Sequence, residues 1–199
     1  REGTFLLKDI RPGVAGSVPF QFRAVGERVY FSADDGEHGR ELWTSDGTPD
    51  GTELVADIIP GCEDSSPELR NGGLGLLFFS ARYRLRGYDT PPWLFFRSDG
   101  TRSGTIRLAD WNAPGGAEHQ GRYYFERCSG CPSAELQAQS GGLWATNGNP
   151  DGHAVVRSPL RVQTSPVVAR GRLFFGAFDE EHGYGSTPGR GLRARMLTG

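Results

Sequence analysis

Short apolar runs alternate with turn-forming residues along the whole chain, and the densest runs recur at a regular distance. Each of these runs ends in a phenylalanine, at Phe31, Phe79, Phe125 and Phe175. The spacing of about 48 residues lies in the range of repeat architectures. Aromatic and β-branched residues between Gly, Asn and Asp are typical of strands. The pattern therefore predicts four repeated units, each with an aromatic core strand.

Two further segments follow each core strand. The first occupies residues 42–48, 95–101 and 143–149, with an altered copy near 192–198. The second occupies 51–57, 104–110 and 152–156, and its fourth copy stands at the other end of the chain, at 3–9. We therefore expect four strands in each unit, which in the first unit lie near 20–25, 29–33, 41–45 and 53–58. The displaced copy predicts that the N-terminal strand completes the last unit, as in closed rings of sheets.

These observations predict an all-β fold, a four-bladed β-propeller of four-stranded antiparallel blades closed by the N-terminal strand. The chain of 199 residues forms a single domain in this interpretation. Its units are expected at about 14–61, 62–115, 116–161 and 162–199, the last completed by 1–13. Three pairs predict tight primed hairpin turns, because Asp, Asn and Gly tolerate positive φ. These pairs are Asp46-Gly47, Asp99-Gly100 and Asn147-Gly148.

The first unit resembles a known repeat. The residues Glu41-Leu42-Trp43-Thr44-Ser45-Asp46-Gly47-Thr48, followed by Gly51-Thr52, resemble the ELWxxDGT repeat of bacterial secreted proteins. The resemblance extends over nearly the whole chain but weakens later, where Leu94 and Gly142 replace the glutamate and Arg193 aligns with the tryptophan. It implies export and a propeller-like array. It implies no catalytic residues, because a structural repeat and not a reaction defines the family.

Composition narrows the classes of partner. The net charge is −2 and no polybasic run occurs, which argues against nucleic acid. No stretch approaches the roughly 20 apolar residues of a membrane helix, so we expect no transmembrane segment. The chain begins in a strand pattern without an apolar leader, so we expect a mature or trimmed form. With the resemblance, these points favour an extracytoplasmic location, in the periplasm, on the cell surface or secreted.

The three cysteines bear on the compartment. Cys128 and Cys131 stand in a Cys-Ser-Gly-Cys segment, where a short disulfide would favour an oxidising environment. A redox pair usually begins a helix, but these cysteines follow a predicted strand, and further zinc ligands at suitable spacing are missing. A local disulfide is the preferred interpretation. Cys62 either stays free or pairs with another chain.

One loop carries candidate ligands. Residues 35–39 align without gaps with residues 179–183, and only the first and fourth units keep this pattern. Those units are neighbours in a closed ring, so their side chains could converge on a divalent cation or a polar ligand such as a glycan. In the alternative interpretation each loop only caps its own turn. The candidate ligands are Asp35, Glu37, His38, Asp179, Glu181 and His182.

Repeated carboxylates suggest a hydrolase at first sight. Two opposed carboxylates are the usual machinery of glycoside hydrolysis. Asp46, Asp57, Asp99 and Asp110 follow the repeat, however, whereas catalytic residues should break it. We therefore expect these carboxylates to hold turns and strand ends, and we expect no enzyme activity.

Two insertions, at 82–92 and 128–142, interrupt the same inter-strand loop in the second and third units. The first mixes cations with aromatic and apolar groups, a composition common at interfaces, although a solvated loop is the alternative. We therefore expect a non-catalytic extracytoplasmic subunit that binds or scaffolds a protein partner in a larger assembly. A carbohydrate- or divalent-metal-binding propeller is the alternative, and a glycoside hydrolase or lyase is the weakest. No cofactor other than such a cation is expected. The predicted partner-binding residues are Arg82, Tyr83, Arg84, Leu85, Arg86 and Tyr88.

Overall fold

A computed structural model describes residues 3–87, 89–113, 115–126, 142–157, 160–162, 164–179 and 193–197. These residues form sixteen strands in four antiparallel sheets. The first sheet contains β1 (Phe20–Val25), β2 (Arg28–Asp34), β3 (Arg40–Ser45) and β4 (Glu53–Ala56). The second contains β5 (Glu68–Gly73), β6 (Leu76–Arg82), β7 (Trp93–Ser98) and β8 (Ile106–Ala109). Both sheets pair their strands in chain order.

The third sheet follows the same plan, whereas the fourth departs from it. The third contains β9 (Gly116–His119), β10 (Arg122–Glu126), β11 (Leu143–Thr146) and β12 (His153–Arg157). The fourth contains β13 (Leu160–Val162), β14 (Val167–Ala169), β15 (Arg172–Asp179) and β16 (Arg193–Leu197), and β15 pairs with all three of the others. The predicted all-β repeat is confirmed, and the aromatic run lies on the second strand of each of the first three sheets and on β15, the third strand, of the fourth.

The sheets pack face to face in chain order. Alternate side chains of a strand point to opposite faces, so each aromatic strand serves two cores. On β6, Phe79 packs against the first sheet and Phe78 against the third. Tyr124 on β10 and Phe175 on β15 belong to the next core along the chain. The first strands of the sheets also lie side by side, β1 beside β5, β5 beside β9, and β9 beside β14.

A two-residue turn precedes each aromatic strand. These turns lie between β1 and β2, β5 and β6, β9 and β10, and β14 and β15. In the later units both turn residues have positive φ, as at Leu74-Gly75 and Gln120-Gly121. These turns have the conformation that matches the twist of a hairpin. The predicted tight turn at Asp46-Gly47 is wrong in length, because residues 46–52 form one loop between β3 and β4. Gly47 does have a φ of 91°, as the Asp-Gly pair predicts.

Side-chain hydrogen bonds explain the longer loop. Asp46 Oδ1 accepts bonds from Thr48 N at 2.9 Å and Thr48 Oγ1 at 2.7 Å, and Thr48 Oγ1 accepts one from Gly51 N at 2.9 Å. The second unit repeats the arrangement around Asp99 with the same distances. A Cβ on Gly51 would lie 2.0 Å from Asp46 Oδ1. The repeated carboxylates therefore hold turns, as the sequence predicts.

The structure does not confirm the predicted closing strand. Residues 3–9 have no strand conformation, and the side chains of Phe5 and Leu6 are 77% and 78% exposed. Lys8 and Arg11 fix the segment to the first sheet, because Lys8 Nζ donates to Thr52 O at 2.6 Å and Arg11 pairs with Asp34. Pairing of residues 3–9 with β16 stays a prediction.

The strand pairing in the fourth sheet corrects the predicted alignment of Arg193 with the motif tryptophan. In the first sheet Trp43 lies opposite Phe31, and Glu41 lies opposite Ala33. In the fourth sheet Arg195 lies opposite Phe175, so Arg195 and not Arg193 takes the tryptophan position. The different length of the segment between β15 and β16 hides this register from the sequence.

Candidate functional site

The loop after β2 contains the first half of the predicted ligand set. Asp35 Oδ1 accepts bonds from the amides of Glu37 and His38, both at 2.9 Å, and Asp35 Oδ2 lies 2.7 Å from His38 Nδ1. Burial raises the pKa of Asp35, but these hydrogen bonds outweigh it and lower the pKa. The same side-chain bond raises the pKa of His38. Asp35 and His38 therefore already form a carboxylate–histidine pair within one turn.

The structure describes only part of the second half of that set. Glu181 and His182 lie outside the described residues, and Asp179 is described only as the last residue of β15. Glu37 is exposed in the first loop. Over the part of the chain that is described, no three His, Cys, Asp or Glu side chains lie close enough to hold a metal ion. Convergence of the two loops stays a prediction, and the Asp35–His38 pair favours the turn-capping interpretation.

The predicted docking loop folds back onto the protein. Arg82 N donates to Ser65 O at 2.8 Å, and Tyr83 N donates to Pro92 O at 3.0 Å. Tyr83 and Leu85 are half-buried and pack against the core that the first two sheets share. The rings of Tyr83 and Phe96 lie 6.0 Å apart. The apolar side chains thus anchor the loop, and they do not form an exposed apolar patch.

The arginines of this loop lie on the surface and not in the core. Arg82, Arg84 and Arg86 are all exposed, and Tyr88 lies outside the described residues. The guanidinium of Arg82 lies 5.7 Å from the centre of the Trp93 ring, a distance at which cations and aromatic rings attract. Arg84 Nη2 contacts both carboxylate oxygens of Glu63. The loop therefore presents positive charge from a fixed backbone.

A groove of about 300 Å³ runs beside the loop, between the first and second sheets. Arg84 and Arg102 line it together with Tyr83 and Phe96, and Asp57 and Ile58 face them from the first unit. Arg107 covers the ring of Tyr83 at 5.4 Å and pairs with Asp110 at 3.3 Å. Asp57 accepts a bond from Gly61 N at 3.4 Å. Asp57 and Asp110 are thus engaged locally and do not form an opposed pair.

The motif glutamate has a role that the sequence reasoning missed. Glu41 is fully buried, and its carboxylate accepts bonds from Ile58 N at 3.2 Å, Ile59 N at 3.5 Å, Ser65 N at 3.2 Å and Ser65 Oγ at 2.5 Å. It therefore fixes the chain that leaves β4 and enters the second unit. Burial raises the pKa of Glu41 to about 7, against the lowering effect of these bonds. A charged residue within the predicted strand at 41–45 was its sequence signal.

The second unit lacks the buried glutamate and holds its connection to the third unit by other hydrogen bonds. Leu94 stands opposite Ala81, the position that Glu41 takes opposite Ala33, and it packs into the apolar core. Ser80 Oγ instead donates to Asn112 Oδ1 and lies 3.3 Å from Ala113 O. The connection after the second unit therefore has a different polar anchor, which explains why Leu94 can replace the glutamate there.

Cys62 is an exposed free thiol. Cys128 and Cys131, the predicted disulfide, lie outside the described residues, as does nearly all of the third-unit insertion. Among the residues described, no helix is long and apolar enough to cross a membrane.

Comparison with known proteins leaves the chain without an assigned family. No protein-family model matches the sequence, and the search of curated proteins found no matching relative.

Proposed function

We propose that the four sheets are the blades of a closed β-propeller and that residues 3–9 pair with β16 to close it. The N-terminal segment supports this proposal, because it contacts the first unit in the same way as the end of the first unit, residues 58–65, contacts the second unit. Asp34 N donates to Ser17 O at 3.0 Å, and Arg82 N donates to Ser65 O at 2.8 Å. These two bonds are equivalent under the repeat.

Apolar contacts extend the equivalence. Ile10 packs against Phe31 and Ala33, the positions at which Ile58 shares a core with Phe79 and Ala81. Residues 3–9 would then stand before the first unit as residues 51–57 stand before the second. Pairing with β16 would also cover Phe5 and Leu6, and full burial of such side chains stabilises a fold by about 1.5–3 kcal/mol each.

The function we propose is that of a non-catalytic, extracytoplasmic module that binds a protein partner and acts as a scaffold in a larger assembly. One observation carries this proposal. Tyr83 and Leu85 pack against the core and anchor the first half of the insertion, while Arg82, Arg84 and Arg86 stay exposed. A binding loop that is ordered before it meets its partner loses less conformational entropy on binding. Arginine is enriched at interfaces for its planar, multidentate donor group.

The carboxylates support the non-catalytic part of the proposal. A general acid or base must reach a proton of the substrate. Asp35, Asp46 and Asp99 accept bonds from amides of their own turns, and Glu41 is buried under backbone amides. These four side chains therefore serve the fold.

The test is to isolate the tagged chain from its native source and determine by native mass spectrometry what remains bound and in what ratio. We expect one protein partner at fixed stoichiometry. The variant Arg82→Gln with Arg86→Gln should lose it, whereas Arg122→Gln with Arg172→Gln, which removes two exposed arginines elsewhere, should keep it. Recovery of the wild-type chain as a clean monomer, or equal loss in both variants, would contradict the proposal.

A further inference from the structure

The arginine loop already holds a carboxylate at the edge of the groove. Glu63 places both of its oxygens on Arg84 Nη2, and the two side chains are 51% and 56% exposed. The bond raises the pKa of Arg84. Glu63 lies in the segment that links the first two units, so the chain itself supplies this acid. Its position shows where a carboxylate fits on this surface.

Three guanidinium groups, those of Arg84, Arg86 and Arg102, lie on the loop and in the groove against two carboxylates, those of Glu63 and Asp57, so positive charge is in excess. Arg102 lines the same groove and Arg86 extends from the loop, and both are exposed. Neither makes an ion pair with any residue that the structure describes. The half-buried ring of Tyr83 lines the groove beside these charges. The groove and the loop beside it thus combine two unpaired guanidinium groups with an aromatic ring that an extended peptide can contact.

We propose that this groove binds an acidic segment of the partner protein, with a partner Asp or Glu replacing Glu63 on Arg84. This inference rests on the proposed function and names its partner class. The exchange costs little, because an exposed ion pair contributes only about 0–1 kcal/mol. Further acidic residues of the segment then reach Arg86 and Arg102, which gain partners they lack. Glu63 acts as an internal competitor that weakens binding of unrelated anions.

The experiment measures binding of a short fluorescent peptide of alternating glutamate and serine by anisotropy, with a glutamine-for-glutamate peptide as the reference. Removal of the competitor by Glu63→Gln should tighten binding about 2- to 5-fold, the range expected for an exposed pair. Arg84→Gln should weaken binding about 2- to 5-fold through loss of the exposed ion pair to the peptide. The control Glu27→Gln changes the net charge equally at an exposed site elsewhere, and should leave the affinity within error.

Three results would overturn the inference. The first is an equal gain from Glu63→Gln and Glu27→Gln, because bulk charge then explains binding. The second is an unchanged affinity in Arg84→Gln. The third is that the acidic peptide does not bind, whereas polygalacturonate, an acidic polysaccharide, binds more tightly to Glu63→Gln and more weakly to Arg84→Gln. A native partner that depends on Arg82 and Arg86 while the acidic peptide fails to bind would leave the proposed function standing and remove only this inference.

Discussion

The buried glutamate at the junction of the first two units makes a pH-dependent prediction. Glu41 has no exposed surface, and its carboxylate is held only by amides and a hydroxyl of residues 58–65. Burial raises its pKa from 4.5 to about 7. The folded protein therefore keeps a proton on Glu41 at a pH where the unfolded chain has released it. A raised acid pKa favours folding at low pH, and this stability is lost as the pH rises from about 4.5 to about 7.

The size of the effect follows from the shift. Each pKa unit corresponds to about 1.4 kcal/mol, so the wild type should lose about 3 kcal/mol of unfolding free energy between pH of about 4.5 and 7 through this group. Glu41→Gln keeps the shape and an acceptor oxygen but cannot titrate. The difference in unfolding free energy between wild type and Glu41→Gln should therefore move against the wild type by about 3 kcal/mol as the pH rises.

Urea unfolding of both proteins across this pH range is the assay. The difference between the two proteins cancels the other titrating groups, among them His38, whose raised pKa also favours folding at lower pH. The lowered pKa values of Asp35, Asp46 and Asp99 act at more acidic pH and cancel likewise. A difference that is flat with pH, or that moves in favour of the wild type, would refute the reasoning about burial.

Three further changes test the turn, the core and the histidine pair. Gly51→Ala should cost about 1–3 kcal/mol in urea unfolding, because its Cβ would meet Asp46, and most of this cost should vanish in the Asp46→Ala background; equal costs in both backgrounds would contradict the clash. Phe79→Ala should cost about 3–5 kcal/mol in the shared core, whereas exposed Val168→Ala should change stability by less than about 0.5 kcal/mol; similar losses would argue against the core assignment. Asp35→Asn should lower the pKa of His38 in an NMR titration, because the bond that raises it is lost; an unchanged pKa would mean that the pair does not form in solution.

The repeat was predictable because it rests on backbone physics. Strands buried on both faces around Phe31, Phe79, Phe125 and Phe175 leave a period of apolar runs that survives substitution. The roles of Asp46 and Asp99 were also accessible, since a residue that follows the repeat serves what is repeated. Both inferences need only local chemistry and spacing.

Other features depended on contacts that a sequence does not display. The burial of Glu41 is set by residues about 20 positions away, which fold back over it. The packing of Tyr83 and Leu85, which were predicted to bind a partner, depends on the apolar surface that the first unit offers them. The register of β16 was misplaced because the segment before it differs in length from the other units. Tertiary packing explains the first two features, and segment length explains the third.

Closure of the ring is the central claim, and an engineered disulfide tests it most directly. Trp43 lies opposite Leu54, and Phe96 lies opposite Arg107, so a closed ring places Leu6 opposite Arg195. Neighbouring strands bring such Cα atoms within the reach of a disulfide. Leu6→Cys with Arg195→Cys, in a Cys62→Ser background, should form an intramolecular bond that peptide mass spectrometry identifies, whereas Leu6→Cys with Val156→Cys should not. Free thiols in the first pair, or equal bonding in both pairs, would contradict the closed propeller.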